Sequence, residues 1–594
     1  MKINKINFSL FWVNKINQIF LHSKVSKMQN KIYIFLFILV FIVGGCRKNE
    51  DISDTVDIEY PTEIFINTSV KGTVKGSRGI AIPGAVIQIG SIIKTSDFNG
   101  YFQFENVSAK KSGEIIKVEK PGFQTSYKTF YPQKDAVIYV DVEMTTESGN
   151  IIANTNDPVK VFGNKNAEIT ITGNDFILKG NNYSGKLSIK PYWSAISDKD
   201  FYKKQIGDPV GYDKYYKTKG ISSYGIIGID IFDEGGQTIG LGNGNFIELK
   251  INNPSSDSPM ELSVWKFNFE KNKWLETNIK AKLITQSDKT YYTAEVENTG
   301  IYNFGSNFDV YEKEIEIKSS TGIQAQFIDV EINSENLNYR LTQRTSDKGK
   351  IISYLPTDKR SEISIILDNL PFTYTIKKDE SSVNIPADHK LINGRGKIRD
   401  CSGFALENGY ITIISNNDTV FYDIDSGGNF NCNIVDAKNE EKIKWIASDT
   451  KNEINTFIHK AGKKDNIDLE DIYLCEEPFA AVEFGDERFL LGLKMKDITT
   501  STMALEFGKD NYKLELACLS FNGEGTYDLS SFPFTFAFNE SATKRLFPVG
   551  EFNIKILEFN KPGMLRGKLE GKARKNFDDE TVRDLKIIYS VKLE

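Results

Sequence analysis

From Val70 to the C terminus, apolar and polar side chains alternate in short runs, and each run is closed by Gly, Asn, Asp or Pro. A period of two places successive side chains on opposite faces of an extended strand, and the closing residues supply the backbone conformations of tight turns. No amphipathic run long enough for a helix interrupts the pattern, so an all-β chain of tandem β-sandwich modules, Ig-like or transthyretin-like, is expected. With 594 residues the chain exceeds one core, and roughly 100–200 residues per domain predicts several units.

The first unit is expected over residues 64–146. Pro83-Gly84 fixes a turn, Val86, Ile87 and Ile89 supply a strand, Asp97 to Gly100 closes a hairpin before Tyr101-Phe102, and Pro121-Gly122 makes another turn. These residues together resemble the carboxypeptidase regulatory-like, transthyretin-like domain, which implies a seven-stranded sandwich without catalytic residues of its own. The hairpin phrase recurs as Thr345-Ser346-Asp347 before Gly349 and as Asp423-Ile424-Asp425 before Gly428. That spacing predicts related sandwiches over 313–390 and 391–476.

Residues 147–312 read differently, with Ala167 to Ile171, Asp230 to Gly236, Leu262 to Phe267 and Lys273 to Glu276. Their order resembles the extracellular region of astroprincin-like proteins. The His and Trp of that family's closing strand are replaced here, in Val296 to Asn303, so no role tied to them transfers. A last β-sandwich is expected over 477–594, similar to the terminal sandwiches of Bacteroidetes surface lipoproteins.

Residues 1–45 read as an N-terminal extension and signal peptide: a basic start near Lys31, the apolar run Ile32 to Val43, then Gly44-Gly45-Cys46. The run is far shorter than the roughly 20 residues that span hydrocarbon. Val43-Gly44-Gly45-Cys46 resembles the lipobox of bacterial lipoproteins, which implies cleavage between Gly45 and Cys46 and a lipid on the Cys46 thiol. Met28 is better placed than Met1 as the start of such a peptide. Residues 46–63 are too polar to bury and are expected to tether the chain. The acidic stretch after Cys46 resembles the export signal of Bacteroidetes lipoproteins, which implies an outer-membrane, surface-exposed location.

The net charge of -6 is small and interspersed, so no basic stripe suggests nucleic acid. Three His residues without metal-ligand spacing predict no metal, and no cofactor is expected. No Gly-x-Ser-x-Gly elbow occurs, and neither His389 nor His459 has a visible catalytic partner. Asp97, Asn99, Asp423 and Asp425 lack calcium-loop spacing and read as turn residues. Tyr192, Trp193, Tyr215 and Tyr216 are candidate ligand-binding aromatics in a stretch rich in Gly and charge. Beyond Cys46 the cysteines are 401, 432, 475 and 518. Cys401 and Cys475 fall on the first and last expected strands of one sandwich and are the candidate disulfide, with Cys432 a competitor and Cys518 a free thiol.

The function expected is that of a non-enzymatic, lipid-anchored envelope protein acting in adhesion, scaffolding or partner binding. Its partners would be the membrane, through Cys46, and a protein or glycan. A carbohydrate-binding lipoprotein is the alternative, and an enzyme with its site between modules a third reading.

Overall fold

The computed structural model describes residues 60–593 apart from 147–150, 157–158, 164–165, 199–200, 203–204, 253–257, 287–288, 368–369, 387–388, 390, 401–402, 416–417, 436–441, 457–458, 463–465, 476–478, 486, 500–501, 510, 519–523, 529–533, 542–543, 560–562 and 576–580. The described residues form strands and turns and no helix, so the chain is all-β, in tandem modules.

One two-sheet unit occurs three times. In the first, Phe65–Gly76 lies between Tyr101–Lys110, antiparallel, and Val137–Met144, parallel. The facing sheet runs Ile92–Thr95, Val86–Ile89, Glu114–Glu119, Ser126–Phe130, which makes seven strands. The second repeat places the end of Gly300–Lys318 between Lys350–Pro356, antiparallel, and Ser382–Asn384, parallel. The third places Leu391–Asp400 between Asn429–Val435 and Asn466–Leu474 in the same senses.

The repetition extends to single hydrogen bonds. The backbone N–H groups of Val74, Ile317 and Ile398 donate to the carbonyls of Gly100, Gly349 and Gly428 at 2.8, 2.7 and 2.8 Å. Each glycine has positive φ, and a Cβ there would lie 2.4–2.8 Å from the carbonyl oxygen of the same strand residue. Turn conformation and close approach therefore both demand glycine, which is why the hairpin phrase repeats in the sequence.

Between the first two repeats stands a larger β unit. Most of its strands form one long sheet from Ile151–Asn154 at one edge to Val159–Gly163 at the other, and Asn181–Tyr183, Phe176–Leu178 and Gly240–Leu241 form a small separate sheet. Val161 near one edge and Leu187 near the other share a core with Ile229, Leu249, Val264 and Phe304, so the sheet folds over on itself.

Two expectations about the modules need correction. The boundary expected at 312 falls inside the continuous strand Gly300–Lys318. Its first half pairs with Thr218–Phe232 and its second half with Lys350–Pro356, so one strand belongs to two modules. The C-terminal unit, expected as a sandwich, is a closed barrel. Phe479–Phe484, Glu487–Ile498, Met503–Lys509, Tyr512–Cys518, Phe534–Ser541, Lys544–Phe559, Gly563–Lys575 and Val582–Leu593 each pair antiparallel with the next, and the last pairs with the first. Alternating residues such as Val482, Phe507, Leu516, Ile554, Leu569 and Ile587 fill the interior. Bulges after Val549 and Ile556 bend the longest strand for closure. Alternation along a strand is the same for a sandwich and a barrel, and only the pairing of first and last strands separates them.

Residues Tyr60–Glu594 form one compact unit, and the modules are cemented rather than strung. The core of the third repeat includes Tyr101 and Tyr139 from the first and Phe327 from the second. Tyr473 and Cys475 pack with Phe479, Ala481 and Ile588 of the barrel.

Candidate functional site at the junction of three modules

A cluster of charge around one buried guanidinium lies where the three repeats meet. Arg344 ends the strand Arg340–Arg344, and the hairpin that follows it is pinned to the first repeat. Asp347 accepts from the Val137 N–H at 2.8 Å and donates its own N–H to the Val137 carbonyl at 3.0 Å, while Ser346 donates to Gln133. This docking carries Arg344, whose side chain is 6% exposed, into the junction.

Three carboxylates surround its guanidinium. Nε lies 2.8 Å from Asp141 Oδ2 of the first repeat and 2.9 Å from Asp329 Oδ1 of the second. Nη2 donates to Asp418 Oδ1 of the third repeat at 2.6 Å, and Nη1 donates to the Phe327 carbonyl at 2.9 Å. The Tyr139 ring covers the guanidinium at 5.1 Å. Among these four groups the formal charge is one positive against three negative. Burial pulls the Arg344 pKa down, but the three acids outweigh it and hold the guanidinium well above its usual value. Burial first, and then Asp418 and Asp141, push Asp329 up to about 7, against the pull of Arg344.

A second charged contact lies beside it. Lys71, 3% exposed, reaches Asp423 at 3.0 Å and lies over the Phe327 ring at 4.6 Å. Tyr101 donates to the other oxygen of Asp423. Tyr410 of the third repeat donates to Asp97 at 2.7 Å and accepts from Asn99 at 2.7 Å. The turn residues Asp97, Asn99 and Asp423, read from sequence as turn chemistry, thus also bond between modules.

Two cavities open onto the Arg344 cluster. One, of about 350 Å³, lies between the first two repeats and is lined by Tyr131, Tyr139, Asp141, Asp329, Gln343 and Arg344 among others. The other, of about 80 Å³, lies between the second and third and is lined by Asp329, Asp418 and Tyr422 among others. Asp329 lines both cavities, and 47% of its side-chain surface is exposed. Among the described residues, no three His, Cys, Asp or Glu side chains converge as metal ligands.

The candidate aromatics do not form one platform, which corrects that expectation. Tyr192 and Trp193 are adjacent on Lys186–Ala195 and face opposite sides. Tyr192 is 8% exposed and packs with Ile115, Phe201 and Trp265, whereas Trp193 packs against the core of the large sheet. Tyr215 is exposed in a turn, under the Lys214 ammonium at 5.1 Å. The Tyr216 ring lies tilted against that of Tyr60, with ring centroids 4.2 Å apart. Burial claimed the first pair because Ile-rich neighbours surround them.

Gly45, Cys46 and Cys401 lie outside the described residues. Cys475 is buried. The strands leading to it and to Cys401 pair in parallel as far as Asp400 with Leu474. Cys432 is a buried free thiol that donates to the Gly394 carbonyl at 3.2 Å, and burial pushes it up to about 12. Cys518 is a buried free thiol inside the barrel. His389 is buried with its ring against Phe372.

No family model matches the chain, and no curated protein matches it. Among solved structures it is similar to a membrane-associated protein of unknown function from Bacteroides fragilis, at 11% identity over 42% of this chain and 100% of that one, TM-score 0.13. It is also similar to the major pilin subunit BcpA of Bacillus cereus, at 9% identity over 69% of this chain and 100% of that one, TM-score 0.13. A third is the major pilin SpaA of Corynebacterium diphtheriae, at 7% identity over 72% and 96%, TM-score 0.11. At such scores the all-β assignment rests on the strands of this chain alone.

Proposed function

We propose that this chain is a non-catalytic, lipid-anchored protein of the bacterial cell envelope that holds a stiff array of β modules for adhesion or scaffolding. The observation that carries the reading is the construction of the joints. A strand shared by two modules leaves no hinge between them, and the Arg344 cluster ties three repeats through buried charge. A protein that must transmit load or keep a partner at a fixed distance needs joints of this kind, whereas an enzyme that closes on substrate needs hinges. The lipobox-like Val43-Gly44-Gly45-Cys46 supplies the anchor. The outer membrane, with the modules facing outward, is the proposed location.

The test is a strain lacking the protein, complemented with the full chain or with Cys46→Ala. Loss of surface attachment or envelope integrity, restored only by the lipidated form, is expected. Full attachment and integrity without the protein would overturn the reading. A glycan array with the purified chain separates the carbohydrate-binding alternative.

A further inference from the structure

We propose that the Arg344 cluster is a proton-dependent clasp: Asp329 holds a proton when the repeats are docked, and the joint loosens as that proton is lost. The inference shares this joint with the adhesion reading, and hydrogen exchange across the joint tests it separately from surface attachment.

The geometry carries it. Arg344 Nε bears one hydrogen, yet an oxygen from Asp141 and an oxygen from Asp329 both lie within 3 Å of it. That hydrogen is aligned with neither oxygen. The Nη hydrogens are committed to Asp418, the Phe327 carbonyl and, at 3.3 Å, Asp329 Oδ2. Asp141 accepts from Thr73 through its other oxygen, so Asp141 Oδ2 and Asp329 Oδ1 converge on one nitrogen without a hydrogen between them. Two carboxylates placed this way repel when both are ionised, and a proton on one removes the repulsion.

The charges around Asp329 do not supply the missing counter-ion. Lys75 is a weaker attraction than Arg344, and Asp418 and Asp141 oppose both. Lys71 is bound to Asp423, and Glu331 to Arg340 at 3.2 Å. Glu143 and Lys128, also on the cavity wall, bring one charge of each sign. Tyr139 and Tyr422 are held neutral well beyond physiological pH, chiefly by burial. Asp329 belongs to the second repeat and Asp141 to the first, so the repulsion acts across the interface that the Val137 and Asp347 backbone bonds close.

The sign follows from linkage. A carboxyl whose pKa is raised by docking binds more protons closed than open, so closure weakens as pH rises toward the raised value and levels off above it.

Hydrogen exchange at the Val137 and Asp347 amides reads the joint directly, because both bonds cross it. After correction for intrinsic exchange, the opening equilibrium of the wild type should grow by up to about tenfold per pH unit between pH 5 and 7 and then flatten. Asp329→Asn, which is neutral throughout, should remove that slope and stay protected at pH 8. An equal slope in both proteins, no slope in the wild type, or protection that rises with pH would overturn the proposal. If Asp329→Asn does not fold, infrared difference spectra with labelled aspartate decide. The carboxyls of Asp208, to about 6, and of Asp97 and Asp230 are also raised, chiefly by burial, so these are recorded with all three replaced by Asn. A protonated aspartate band that titrates near neutrality is expected, and its absence would overturn the proposal.

Discussion

At the residue scale, the chain depends on a few side chains whose partners lie hundreds of positions away. Arg344→Met would leave Asp141, Asp329 and Asp418 facing one another without a counter-charge. Losing one partner of a fully buried ion pair costs about 3–5 kcal/mol, and these acids face cavities, so about 2 kcal/mol is expected. Arg344→Lys should recover little, because a point charge cannot serve three carboxylates and a carbonyl at once. Thermal unfolding of the full chain, with proteolysis at the joint, checks both. Gly100, Gly349 and Gly428 form a parallel test: alanine at any of them meets positive φ and a carbonyl oxygen closer than 3 Å, so each should cost about 1–3 kcal/mol in urea unfolding. The glycines were legible in the sequence, since a turn signature is local. Arg344 was not, because nothing within a few residues of it differs from a solvated strand end, and Asp418 closes a polar Asn-Asn-Asp run of the sequence.

At the scale of elements, the strand Gly300–Lys318 decides where the chain can be divided. A fragment ending at 312 would keep the pairing with Thr218–Phe232 but leave the residues from Val310 without their partners, as an exposed edge. Such a fragment is expected to aggregate, whereas one ending after Pro386 should be soluble; size-exclusion chromatography compares them. The Cys401–Cys475 pairing belongs here too. The strands that precede the two cysteines in sequence pair in parallel as far as Asp400 with Leu474. A linkage between these two cysteines is expected in a non-reducing peptide map of exported protein, stabilising by about 4–5 kcal/mol in the chain-entropy account. A map that links Cys432 instead would contradict it. Period-two alternation revealed these strands, but it carries no record of which neighbour each strand takes. The boundary expected at 312 therefore falls inside one strand, and the same alternation fits a sandwich and a barrel alike.

At the scale of the molecule, attachment and stiffness are separable. The chain carrying Cys46 should fractionate with membranes and Cys46→Ala should not, while small-angle scattering of the two purified forms should agree from Tyr60 onward. Mass spectrometry that finds residues before Cys46 in the mature protein would remove the anchor from the account. The sequence by itself determined the all-β class and the hairpin phrase shared by three repeats, because each is written in local spacing. Only the tertiary structure decided that Tyr192 is core and Trp193 packs against one, that eight of the C-terminal strands close on themselves, and that one guanidinium gathers three carboxylates from three modules. Those outcomes depend on which surfaces meet, and contact between residues as distant as Asp141, Arg344 and Asp418 leaves no pattern in the order of the chain.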